Sequence, residues 1–71
     1  GLFLDHVIVN KILDEQQWRF SSIEQPYHLE VFVDGERIIH PIDGDPARVI
    51  ARKFTMDEAV LRAAFESIGD S

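Results

Sequence analysis

The chain contains no cysteine, so disulfides, thiolate metal sites and a cysteine nucleophile are excluded at once. Basic residues are scarce: Lys and Arg number 7 against 13 Asp and Glu, a formal net charge of −6 at pH 7. A protein that grips nucleic acid over its whole surface needs clustered Lys and Arg to neutralise phosphate, and this balance argues against one. No apolar run approaches the roughly 20 residues that a membrane-crossing helix requires. Leu2-Phe3-Leu4 and Val7-Ile8-Val9 come nearest, and Asp5 and His6 interrupt them. Neither a basic n-region nor a small-residue cleavage site flanks that segment, so it does not read as a signal peptide and a cytoplasmic location is expected. Asp5 also stands where an N-myristoylation motif starting at Gly1 would need Ser or Thr. Gly1, Gly35, Gly44 and Gly69 are isolated, which leaves no phosphate-cradling glycine run.

What is present is the composition of an ordinary folded domain, 45% hydrophobic and 28% charged. A length of 71 residues allows a single small domain, residues 1–71. Such a chain buries only about 60% of the surface it exposes when unfolded. It also lacks the volume of the usual ligand cleft, so the expectation is no enzyme and no cofactor.

The middle of the chain has the clearest pattern. Tyr27, Leu29, Val31 and Val33 alternate with His28, Glu30 and Phe32, the period of a half-buried strand. Asp34-Gly35 follows, a dipeptide suited to a two-residue type I′ turn, in which both central residues take positive φ. Glu36 to Ile42 returns as the second strand, pairing Val33 with Glu36, Val31 with Ile38, Leu29 with His40 and Tyr27 with Ile42. One face then carries Tyr27, Leu29, Val31, Val33, Ile38, His40 and Ile42 as the core side. The other carries His28, Glu30, Phe32, Arg37, Ile39 and Pro41. Trp18-Arg19-Phe20 supplies a third strand, and Ser21 to Pro26 the loop to the hairpin, making an antiparallel meander.

Two short helices should cover the apolar face. Asp45-Pro46 reads as an N-cap followed by proline at the first helical position, with Val49, Ile50 and Phe54 on one side. Thr55-Met56-Asp57-Glu58 reads as a capping box opening a second helix that carries Val60, Leu61, Ala64, Phe65 and Ile68. Glu58 and Arg62 stand in the favourable order for an i,i+4 ion pair, and Gly69 suits the position just after the helix. The N-terminal segment reads two ways. Leu4, Ile8 and Ile12, flanked by Val9 and Leu13, form a helical stripe, whereas the β-branched Val7-Ile8-Val9 suits a strand; the stripe favours a helix. The expected class is therefore α+β: a three-stranded meander, two C-terminal helices and an N-terminal helix or strand.

Candidate chemistry meets a simpler explanation in most places. His28 and His40 fall on opposite faces of the hairpin and cannot converge on one ion, so no metal site is expected. Asp43-Gly44-Asp45 opens like a calcium loop, but Ala47 and Arg48 break the pattern. Ser21 and Ser22 lack the motif of an activated nucleophile. Arg48, Arg52 and Lys53 form a local basic cluster that could contact an anionic partner, or could simply complement a helix C-terminus.

The apolar supply carries more information. Two helices cover one sheet face, which leaves Phe32, Ile39 and the segment bearing Leu4, Ile8, Ile12 and Leu13 in need of cover. The reading is a small acidic protein-interaction module that self-associates, with a second protein as a possible partner, no membrane and no general affinity for nucleic acid. Its competitors are a nucleic-acid-linked regulator using Arg48 and Arg52, and an acidic inhibitor seated in a partner's basic groove.

Overall fold

The computed structural model describes residues 6–69. It is an α+β fold in which a four-stranded antiparallel sheet, in the order β1-β2-β3-β4, precedes two helices. The strands are β1 Ile8–Leu13, β2 Gln16–Ser21, β3 His28–Val33 and β4 Glu36–Pro41; the helices are α1 Pro46–Phe54 and α2 Glu58–Gly69. None of the described helices is long and apolar enough to cross a membrane.

The central hairpin follows its sequence pattern. Asp34 and Gly35 have φ of 50° and 79°, and Val33 pairs with Glu36, Val31 with Ile38 and Leu29 with His40. The Ile42 amide then donates to the Tyr27 carbonyl at 3.1 Å, extending the register by one more pair.

The N-terminal segment corrects the helical expectation, and with it the count of three strands. Residues 8–13 form β1, antiparallel to β2 from Ile8↔Ser21 to Leu13↔Gln16. The connection is a second two-residue turn, Asp14-Glu15, with φ of 50° and 65°. Once that turn closes, Val9 and Leu13 pack against the core from a strand, so the strand preference of the β-branched Val7-Ile8-Val9 prevails over the helical stripe. Leu4, the remaining member of the stripe, lies outside the described residues.

The core lies between the helices and one sheet face. Trp18, Phe20, Leu29 and Val31 meet Ala47, Ile50, Ala51, Phe54 and Leu61 there, with Val7 at the edge. Phe20, Ile50 and Phe54 have no exposed surface. The helices sit over β2 and β3, which leaves every residue of β4 exposed. Ile38 and His40 therefore share the core-facing side in register but are not covered, and the His40 ring rests 5.4 Å from that of Trp18. In α2, Leu61 is buried and Ala64, Phe65 and Ile68 pack against the core, whereas Val60 is 64% exposed and does not belong to it.

The helix termini hold one expectation and overturn two. Asp45 caps α1, its Oδ1 accepting from the Ala47 amide at 3.1 Å, with Pro46 at the first position. The Thr55–Glu58 capping box does not form. Thr55 ends α1 in the left-handed conformation, φ 55° and ψ 51°, and Asp57 caps α2 by accepting from Ala59 at 2.8 Å and Val60 at 3.3 Å. Gly69 lies within α2 rather than following it. Arg62 ties the two helices together, donating to Asp45 at 2.6 Å and Glu58 at 3.0 Å.

This capping pattern sets a prediction. Asp57→Ala should cost about 0.5–2 kcal/mol, because it leaves two first-turn amides without their acceptor. Thr55→Gly should stabilise by about 1 kcal/mol, because a β-branched residue is strained at positive φ. Denaturant midpoints of the two variants check both signs; equal destabilisation by both would contradict the assignment.

Candidate functional site

The strand register sorts the sheet's second face, the one away from the helices. Two cross-strand rows run over it, Asn10–Arg19–Glu30–Ile39 and Ile12–Gln17–Phe32–Arg37, with Ile8 beside Ser21 and His28 beside Pro41. Neither described helix covers these rows. Ile12 is 73% exposed, Ile39 45%, Ile8 44% and Phe32 38%. Four large apolar side chains thus stand at the two sides of the face, Ile8 and Ile12 on β1, Phe32 and Ile39 on β3 and β4.

Between them lies a charged cluster that organises the face. Glu30 is buried, 2% exposed, because neighbouring side chains close over it. Arg19, directly opposite on β2, and Arg37, diagonally placed on β4, bring guanidinium nitrogens to 3.6 and 3.7 Å of Oε1. His28, two residues along the same strand, places Nε2 3.1 Å from Oε1 of Glu30 and 3.2 Å from Oε2 of Glu24 in the β2–β3 loop. The His28 Nδ1–H donates to the Pro26 carbonyl at 2.9 Å. With Nδ1 so occupied, Nε2 meets two acceptor-only carboxylates, and the imidazolium is the form that satisfies all three contacts. The His28 pKa is accordingly raised, by the Pro26 carbonyl first, against partial desolvation, and then by Glu30 and Glu24. Burial pushes Glu30 up, but the hydrogen bond from His28 and the charges of Arg37 and Arg19 outweigh it, so its pKa is lowered.

Glu24, His28 and Glu30 are also the described group whose ligand atoms could converge on a metal, all lying within 4.8 Å of one another. Two guanidinium groups already neutralise the carboxylates, so the cluster is complete as an ion-pair network without an added cation. His40 is on the opposite face, beside Trp18. The two serines weighed as nucleophiles are structural: Ser22 Oγ accepts from the Val7 amide at 2.8 Å, and Ser21 Oγ from the Ile23 amide at 3.3 Å.

Of the residues singled out from sequence, Ile8, Ile12, Phe32 and Ile39 share this one face. Arg48 and Arg52 do not join them, being exposed on α1 across the sheet. Lys53 leaves their cluster altogether, its ammonium sitting 3.6 Å over the Trp18 ring. Leu4 lies outside the described residues. No protein-family model matches the chain, and no curated protein or solved structure matches it either. Function must be read from the face itself.

The ion cluster is the part that sequence reading missed. Glu30 sits in an alternating strand beside Phe32, and nothing local marks it as buried. The available signal was the pairing of the strand Trp18-Arg19-Phe20 with the hairpin, which sets Arg19 opposite Glu30.

Proposed function

We propose that this chain is a non-enzymatic protein-interaction module that self-associates along the β1 side of its sheet, with Ile8 and Ile12 of the helix-free face in the contact. The observation that supports this is the exposure of Ile8, Ile12, Phe32 and Ile39 on one face of a domain with little apolar surface to spare. Burying one such side chain contributes about 1.5–3 kcal/mol, and a two-fold axis buries it twice. The ion cluster keeps the middle of the face rigid and polar, which restricts the contact to the apolar sides. Phe32 and Ile39, on the far side from β1, are the part left for a second protein. A cytoplasmic setting belongs to the same proposal, since a cysteine-free chain draws nothing from an oxidising compartment.

The regulator that would use Arg48 and Arg52 ranks lower, because Lys53 is committed to Trp18 and two cations remain on that helix face. The acidic inhibitor rests on net charge alone.

Ile12→Asp tests the proposal with little risk to the fold, since the side chain is 73% exposed. Placing a carboxylate in the contact should weaken self-association at least about tenfold, or ~1.4 kcal/mol, while the denaturation midpoint of the isolated chain stays put. Sedimentation of wild type and variant reads the first, and circular dichroism at low concentration the second. Identical association in the two proteins would contradict the proposed contact.

A further inference from the structure

The way two copies meet follows from which backbone groups β1 leaves free. Leu13 pairs with Gln16 around a two-residue turn, and the Ser22 amide donates to the Val7 carbonyl at 2.9 Å. Antiparallel strands alternate, so residues 7, 9, 11 and 13 direct their N–H and C=O groups at β2, and Ile8, Asn10 and Ile12 direct theirs away from the sheet. Among the described residues nothing pairs with these outward groups. Read along the open edge the sequence is Ile, Asn, Ile, the same from either end.

We infer that β1 pairs antiparallel with β1 of a second copy about a two-fold axis at Asn10, joining the two four-stranded sheets into one. This rests on the self-association reading above and specifies its geometry. In this register Ile8 stands opposite the partner's Ile12, Ile12 opposite the partner's Ile8, and Asn10 opposite the partner's Asn10. Every outward N–H and C=O of the three residues is satisfied. The exposed isoleucines then pack in pairs on the helix-free side, and the two carboxamides lie side by side, where each can donate to the other.

The other edge of the sheet does not offer this. In β4 the outward positions are Arg37, Ile39 and Pro41, fixed by the Val33–Glu36 pair and by the Ile42 amide donating to Tyr27. Pro41 has no N–H, and the order Arg, Ile, Pro is not symmetric. A proline at the edge is a common device against strand addition. The free edge that is symmetric in chemistry is β1.

The absence of native cysteine makes the test direct. Asn10→Cys and Ile39→Cys are made singly in the full chain and treated with an oxidant and with a short thiol-to-thiol crosslinker, and Asn10→Pro is weighed by sedimentation. Residues paired about the axis have Cα atoms about 5.5 Å apart, and their Cβ atoms, about as far apart, exceed the disulfide optimum but lie within reach of the crosslinker, so crosslinking should turn Asn10→Cys into covalent dimer and should not do so for Ile39→Cys. Asn10→Pro removes an amide that the β1–β2 ladder does not use, so the chain should fold yet associate at least about tenfold more weakly. If the wild type is dimeric but Ile39→Cys crosslinks and Asn10→Cys does not, the copies meet face to face; the edge pairing is then wrong while self-association stands. A dimeric wild type whose Asn10→Pro variant associates equally well overturns the edge pairing in the same way. A wild type that stays monomeric throughout overturns both.

Discussion

Phe20→Ala should cost about 3–5 kcal/mol, a large share of the stability of the domain. Phe20 has no exposed surface. Its ring stands edge-on to Tyr27 at 5.6 Å and to Phe65 at 5.9 Å, and Tyr27 and Phe65 contact each other at 5.8 Å. The triplet joins β2, the start of the central hairpin and α2, so removing its shared member opens a cavity where three parts of the chain meet. At about 0.05–0.15 kcal/mol per residue, 71 residues carry roughly 4–11 kcal/mol in all. The variant should be largely unfolded or melt far below the wild type in a denaturant titration. A loss below about 1 kcal/mol would mean that α2 does not pack on the sheet as described.

The second large effect is expected at Glu30. Glu30→Ala removes the group toward which Arg19, Arg37 and His28 converge and should cost about 1–3 kcal/mol. The 3–5 kcal/mol typical of a broken buried pair is not reached, because the Arg19 and Arg37 side chains are 31% and 52% exposed and return to water. The same network makes stability depend on pH. The His28 pKa is raised on folding, so its contribution is complete below the ordinary histidine value of about 6.5 and is lost as pH rises through the folded value. The Glu30 pKa is lowered, so its contribution is complete above the ordinary glutamate value of about 4.3 and is lost as pH falls through the folded value. The network therefore supports the fold most at mildly acidic pH, between those two values. Melting temperature should decline as pH rises from about 6 to about 8, and His28→Gln should remove much of that decline. An unchanged slope in His28→Gln would assign the dependence to other groups.

Legibility of the fold varied with how local each decision was. The hairpin was readable because Asp34-Gly35 supplies the turn chemistry and the seven alternating residues from Tyr27 to Val33 fix the register. Asp45-Pro46 was readable because cap and first helical residue are adjacent in sequence. The β1–β2 hairpin was not, because Asp14 and Glu15 take positive φ without the glycine or asparagine that usually announces it. Thr55 misled for a related reason: a hydroxyl three residues before a glutamate looks like a cap, and only the left-handed end of α1 reveals Asp57 in that role.

The interaction surface shows the same division. Phe32 and Ile39 fell on the uncovered face as soon as the hairpin was in register, and Ile8 and Ile12 joined them only when β1 was seen to be a strand. Burial of Glu30 depends on Arg19 from another strand and Glu24 from a loop, a long-range arrangement that no local pattern carries. Exposure of β4 depends on where two helices come to rest, which the amphipathic pattern of the strand does not specify.

Self-association is measured most directly by the solution mass of the wild type over a wide concentration range at low and moderate salt. Each chain has a mass of 8.2 kDa and a formal charge of −6, so the copies repel at long range, and screening shortens that repulsion to about 10 Å at 0.1 M salt. An apolar, hydrogen-bonded contact predicts a mass that climbs from 8.2 kDa toward twice that value with concentration, and climbs sooner at the higher salt. A mass that remains at 8.2 kDa across the whole range in both salts would contradict it.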